Sequence, residues 1–334
     1  MRTGLPATVP AAALLAAGTL LTVSTTTVGI PADAAPALSR SPAGVIEVST
    51  AAQLKEALAA AGPGDTIQLA DGTYSGNFTT SAAGSSSSRI TLTGSSKAVL
   101  TAGGGYGLHL DGASYWTVQG ISVTGGQKGI VMDAAAGVVI DSVSVHDLDM
   151  EGVHFRTSSK GGVIKNSTIR DTGKDGRGMG EGVYVGSAGG TDDKSDHVQI
   201  LGNTIGPGVG GENIDIKEGT TGARISGNTF DGSGLTGAHF DDSWADIKGN
   251  DTVVENNIGH HTTNNGYETH TQQSGWGCGT VFRGNTSDLT GATGSGRYGF
   301  NVTNYHASDC PVTIAGDNTV NGGRGVANPG VPVG

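Results

Sequence analysis

Gly211-Glu212-Asn213-Ile214-Asp215-Ile216-Lys217 alternates, with Ile214 and Ile216 on one face and Asp215 and Lys217 on the other. So short a strand decides nothing alone, but the phrase recurs along the chain. Gly107-Leu108-His109-Leu110-Asp111, Gly129-Ile130-Val131-Met132-Asp133, Gly152-Val153-His154-Phe155-Arg156 and Gly182-Val183-Tyr184-Val185 precede it. Ala245-Asp246-Ile247-Lys248, Tyr267-Glu268-Thr269-His270 and Gly299-Phe300-Asn301-Val302 follow. A second series runs in step, with apolar anchors Val118, Ile140, Ile164, Ile200, Ile225, Val254, Phe282 and Ile314. Successive anchors are 22, 24, 36, 25, 29, 28 and 32 residues apart, and Asn203, Asn228, Asn257 and Asn285 each stand three residues past an anchor. Strand-only repeats of this length with Gly-rich turns predict an all-β, single-stranded, right-handed parallel β-helix. Each coil then adds one strand to each of two or three sheets, about 4.8 Å from the next. Stacked Asn side chains would bond to one another and to turn backbone.

Composition bounds the rest. The chain has 334 residues, 59 of them Gly, and a formal net charge of −11. That charge argues against nucleic-acid binding and calls for local positive charge or a cation if the partner is an anionic polysaccharide. Residues 1–34 read as a signal peptide: Arg2, an apolar run from Val9 to Val23, and a small-x-small site at Ala32-Asp33-Ala34. A linker is expected over 35–44, the β-helix domain over 45–321 and a flexible tail over 322–334. Nothing else suits a bilayer, so the expectation is a secreted monomer without membrane contact. Ser49-Thr50-Ala51-Ala52-Gln53 has capping-box spacing before Leu54, Ala57, Leu58 and Ala61, which predicts a short helix lying over the open end of the solenoid. Cys278 and Cys310 each lie four residues before an anchor, so they stack on adjacent coils within disulfide range.

Aligning the coils puts the outward residues in columns: His109, Val131, His154, Tyr184, Asp215, Asp246, Glu268 and Asn301 in one, and Asp111, Asp133, Arg156, Lys217, Lys248 and His270 two positions on. Glu151, Glu181 and Glu212 share an offset just before the strands. Like charges stacked this closely repel. Basic neighbours or a Ca²⁺ ion held by Glu181, Glu212 and Asp215 would offset them; a solvated acidic edge is the other reading. Lys217 and Lys248, with Arg156 near, form a positive patch suited to a uronate carboxylate, and their mutual repulsion would lower a lysine pKa toward that of a base. Two surface lysines paired with Asp215 and Asp246 are the plainer alternative. Tyr184 and His270 are further catalytic candidates, and His154, Asp246, Glu268 and Asp241 candidate substrate contacts. From Glu151 on the loops lengthen and gather charge, as the walls of a groove would.

Glu212-Asn213-Ile214-Asp215-Ile216-Lys217, followed by Ile225-Ser226-Gly227-Asn228-Thr229-Phe230, resembles the motif of the alginate lyase and chondroitinase B family of polysaccharide lyases. Asp71-Gly72-Thr73-Tyr74-Ser75-Gly76 is similar to that family's opening. The resemblance implies β-elimination on a uronate polymer, with Glu212 a Ca²⁺ ligand and Lys217 the base. The family's Arg on the next coil is replaced here by His239-Phe240-Asp241-Asp242 and then Lys248. Pectate lyases with a Lys base are similar as well. A glycoside hydrolase using Asp215, Asp241, Asp242 or Asp246, and a non-catalytic carbohydrate-binding or surface protein, remain as alternatives.

Overall fold

The computed structural model describes residues 39–40, 44–237 and 242–334. The expected signal peptide, most of the linker and Asp241 lie outside them. Three sheets wrap into a right-handed helix, one of twelve strands and two of ten. Among the described residues, the strands of these sheets pair in parallel except Ser39–Arg40, which runs antiparallel to Val45–Val48 at one end of the first sheet. The anchors Val118 to Ile314 form one unbroken column of that sheet, each paired in register with the next. All are buried, and with the inward residues of the other sheets they fill one continuous core. Each fully buried aliphatic or aromatic side chain there contributes about 1.5–3 kcal/mol.

Short first-to-second-sheet turns explain the regularity. Strands Arg224–Ser226 and Thr229–Asp231 are separated only by Gly227 and Asn228, and the neighbouring coils repeat the pattern. Asn203 Nδ2 donates to Asn228 Oδ1 at 3.0 Å, Asn228 to Asn257 at 2.9 Å and Asn257 to Asn285 at 2.9 Å. Each Asn also donates to a main-chain carbonyl of the preceding coil and accepts a main-chain N–H. Asn318, four residues past its anchor, continues the ladder at 2.9 Å and escaped the three-residue spacing.

Helix α1 (Ala51–Ala60) starts at Thr50, whose side chain accepts from Gln53 N–H, while Gln53 Oε1 accepts from Ser49 N–H at 3.0 Å. It buries Leu54, Ala57 and Leu58, and Thr80 Oγ1 donates to the Leu58 carbonyl at 2.8 Å, tying it to the first coil. Cys278 and Cys310 form the expected disulfide, Cα–Cα 4.7 Å. The expected flexible tail is instead built into the last coil. Thr319–Gly322 and Gly325–Ala327 extend the second and third sheets, and Asn328 exchanges hydrogen bonds with Val302. Two further strand pairings recover main-chain hydrogen bonds that a frayed end would leave to water.

Chain length left over from the two-residue turns goes into the other two corners. Residues 171–182 and 290–297 lead into third-sheet strands, and 186–198 and 270–280 lead out of them. Long loops therefore border the third sheet on both sides.

Candidate active site

The third sheet carries the columns read from sequence. His109, Val131, His154, Tyr184, Asp215, Asp246, Glu268 and Asn301 pair consecutively, coil upon coil. Parallel in-register pairing turns residues some thirty positions apart into direct neighbours. Lys217, Lys248 and His270 follow their strands in the adjacent column, each N–H bonded to the preceding coil.

Charge is densest at Asp215. Its carboxylate meets Lys217 Nζ at 2.7 Å and Lys248 Nζ at 2.9 Å, while Lys248 also meets Asp246 at 2.5 Å. Asp246 pairs with His270 Nδ1 at 2.7 Å, and His270 Nε2 lies 3.2 Å from Glu268. Glu268 accepts from Asn301 at 3.1 Å and also from Asn265. Asp215, Asp246 and Lys248 are buried, whereas Lys217 keeps 14 % of its side chain exposed. The Lys217 ammonium lies 5.3 Å from the Tyr184 ring centre, and Tyr184 packs edge-on against His154 at 4.4 Å.

The lysines do pair with Asp215 and Asp246, but inside the protein rather than on its surface. Burial alone would lower the Lys248 pKa; Asp215, Asp246 and Glu212 outweigh it and lift it well above the ordinary lysine value. Lys–Lys repulsion therefore does not make Lys248 a base, contrary to the expectation from sequence. Burial would raise Asp246, and Lys248 and His270 overcome that to hold it well below the usual carboxylate range. Burial opposes a charged His270 too, but the hydrogen bond to Asp246 raises its pKa. Burial, reinforced by Asp215 and Glu181, raises Tyr184, so its phenol stays protonated at neutral pH.

Glu151, Glu181 and Glu212 are buried, which overturns the solvated acidic edge. Each is met differently. Glu151 receives Lys128 Nζ at 2.8 Å, and the same ammonium lies 3.2 Å from His154 Nδ1. His154 in turn donates through Nε2 to the Gly186 carbonyl at 2.9 Å, and burial beside Lys128 pushes its pKa down to about 3, so the ring is neutral. Glu181 has no such cation: burial, then Asp215 and Glu151, push its carboxyl up to about 8. Glu212 is raised as well, by burial and by Asp215 and Asp246.

Arg156 stands apart. It shares the Lys217 column, with Gly186 between them, but turns the other way: its Nε donates to Asp133 on the preceding coil at 2.6 Å and its Nη2 to the Tyr106 hydroxyl, two coils back, at 3.1 Å. Gly186 has φ +91°, and a Cβ there would come within 2.9 Å of Lys217 Cβ, so this coil contributes a gap rather than a side chain. Lys128 and Asn265 were missed in the sequence. Lys128 was legible, because it occupies the Glu151 offset one coil earlier.

Oxygens of Glu181, Glu212 and Asp215 lie within 4.8 Å of one another, and the buried Glu181 Oε2 has no hydrogen-bond partner. An all-carboxylate donor set with an orphaned oxygen fits a hard cation such as Ca²⁺. Glu181 and Glu212 are the more available donors, since both Asp215 oxygens face lysines.

A right-handed β-helix with this charged strip along one loop-walled sheet defines the class. A family model described as "right handed beta helix region" matches residues 106–243. The crystal structure of an alginate lyase from Paenibacillus sp. str. FPU-7 is 38 % identical with a TM-score of 0.75, over 86 % of this chain and 97 % of that one. Pectate lyase Pel9A (15 % identity, TM-score 0.54, 83 % and 75 % covered) and the Streptococcus pneumoniae surface protein and adhesin PfbA (12 %, 0.51, 79 % and 78 %) share the fold. Among curated proteins, none matches by sequence. The chain belongs to the pectin-lyase-like β-helix polysaccharide lyases.

Proposed function

We propose that this protein is an exported lyase that cleaves a uronate polysaccharide of the alginate type by β-elimination. One observation carries the reading: Lys217, with 14 % of its side chain exposed beside the buried Asp215, Asp246 and Lys248, sits between the Asp215 carboxylate and the Tyr184 ring. The 38 % identity to an alginate lyase supports the polymer class.

In this mechanism the chain lies along the third sheet between the long loops. Lys217 Nζ takes the C5 proton. The C–H electron pair becomes the C4–C5 double bond, and the C4–O4 bond breaks. Tyr184, protonated at neutral pH, donates to the departing O4. Lys248, held cationic by Asp215 and Asp246, supplies fixed positive charge toward the uronate carboxylate. Glu181 and Glu212 would hold Ca²⁺, which when bound neutralises substrate carboxylate charge and acidifies the C5 proton. His154, Glu268 and Asp246 shape the floor. A signal peptide over residues 1–34 would direct export, and among the described residues no helix is long and apolar enough to cross a membrane.

A hydrolase reading fares worse. Asp215 and Asp246 share Lys248, and Asp246 is held ionised, so Asp246 does not supply the protonated acid a hydrolase needs. Incubating the full chain with alginate, pectate, glucuronan and chondroitin sulfate, with and without chelator, tests the proposal. Ultraviolet absorbance of the new double bond should rise with alginate. Release of saturated ends would establish hydrolysis instead, and binding without turnover a non-catalytic protein.

A further inference from the structure

We propose that Asp231, His260 and His261, on the second sheet and away from the charged strip, form a binding site for one divalent transition-metal ion of the zinc or nickel class. Asp231 and His260 are register partners on adjacent coils, so the fold itself sets a carboxylate beside an imidazole. His261 follows the end of that strand. In an extended chain its ring would point to the opposite face from His260. It has φ +59° instead, a left-handed conformation uncommon for a residue with a Cβ, and this turns the ring back onto its neighbour. The two imidazoles pack edge to face at 4.5 Å.

Three acceptor-capable atoms thereby converge. His260 Nδ1 lies 3.1 Å from His261 Nδ1, His261 Nδ1 lies 3.1 Å from Asp231 Oδ1, and His260 Nδ1 lies 3.8 Å from the same oxygen. Two Nδ1 atoms facing each other need a proton on at least one, and one proton serves only part of this triangle. Tetrahedral ligands at zinc distances of about 2.0–2.1 Å are about 3.4 Å apart, which the three separations bracket. Two nitrogens and one carboxylate oxygen select zinc, nickel or copper over calcium or magnesium. Ser233 Oγ, 3.2 Å from His261 Nδ1, stands beside the cluster. An ion here would clip together two adjacent coils at the ends of strands Thr229–Asp231 and Ile258–His260.

Calorimetric titration of the full chain with Zn²⁺ tests this, alongside His260→Ala/His261→Ala and Glu212→Gln. The expected result is one tight ion per chain, retained in Glu212→Gln and weakened in the double variant by more than the about 10–100-fold that outer-shell changes cost. Cu²⁺ should give an electron paramagnetic resonance spectrum with two-nitrogen hyperfine structure, reduced to one nitrogen in His261→Ala. Absence of binding, binding unchanged in the double variant, or binding lost with Glu212→Gln would each overturn the proposal.

Discussion

Two columns of polar side chains run along this helix, both largely buried, both built by stacking equivalent positions. In the Asn ladder every amide is neutral, and each donates and accepts within the column or to turn backbone. In the third-sheet strip the same spacing stacks carboxylates on lysines, and the column does not close. Glu151 and Glu181 each keep an oxygen without a partner, and Glu181 and Glu212 are pushed toward protonation. A neutral ladder lowers the free energy of the coil and does nothing else. A charged one costs desolvation that only partly returns as ion pairing, so such a column is better explained by a task than by stability.

The comparison breaks if the charged strip proves merely structural. Lys217→Ala should lower turnover by about 10²–10⁴-fold, the usual contribution of a positioned proton-transfer group. Its fold should survive, because Asp215 keeps Lys248; full activity with an unchanged circular-dichroism spectrum would remove Lys217 from the chemistry. Lys248→Met is the complementary test. It strips the shared cation from Asp215 and Asp246, both buried, and should cost about 3–5 kcal/mol in urea unfolding. Stability close to wild type would mean that Lys217 and His270 alone suffice to hold the two carboxylates. On the neutral side, Asn228→Ala takes the acceptor from the buried Asn203 main-chain N–H and the side-chain donor from the Ile200 carbonyl. About 2–6 kcal/mol of stability should go, at about 1–3 kcal/mol for each of the two buried groups, with turnover per folded molecule unchanged.

The sequence's legibility divides along the same line. Period-two alternation and regular anchor spacing determine register, and register determines which side chains are neighbours; hence the columns, the Asn ladder and the disulfide could all be read. Energetics could not. Whether Glu181 faces water or protein depends on loops of irregular length, and whether Lys248 is a base depends on two carboxylates that each approach it within 3 Å. Spacing reveals adjacency but not which neighbour a long side chain turns toward, so Arg156 was assigned to Lys217 although Asp133 holds it. Asn318 and the final coil were missed because their spacing slips at the end of the solenoid.

The last test separates the two columns most cleanly, because it depends on charge alone. Glu181 binds its proton up to about pH 8 in the folded chain, against an ordinary value of 4.5. Between those values the native state holds a proton that the unfolded chain has released, so stability falls as pH rises through this window. Glu181→Gln cannot ionise. Its melting temperature should decline less steeply than wild type from about pH 5 to about pH 8, and the variant should gain on wild type as pH rises. Some slope will remain, since Glu212 is raised too. Added Ca²⁺ should restore wild-type stability at the alkaline end, where both carboxylates are ready to ionise, and leave Glu181→Gln less affected. Identical pH profiles for the two proteins would make Glu181 a bystander, no different in kind from an amide of the Asn ladder.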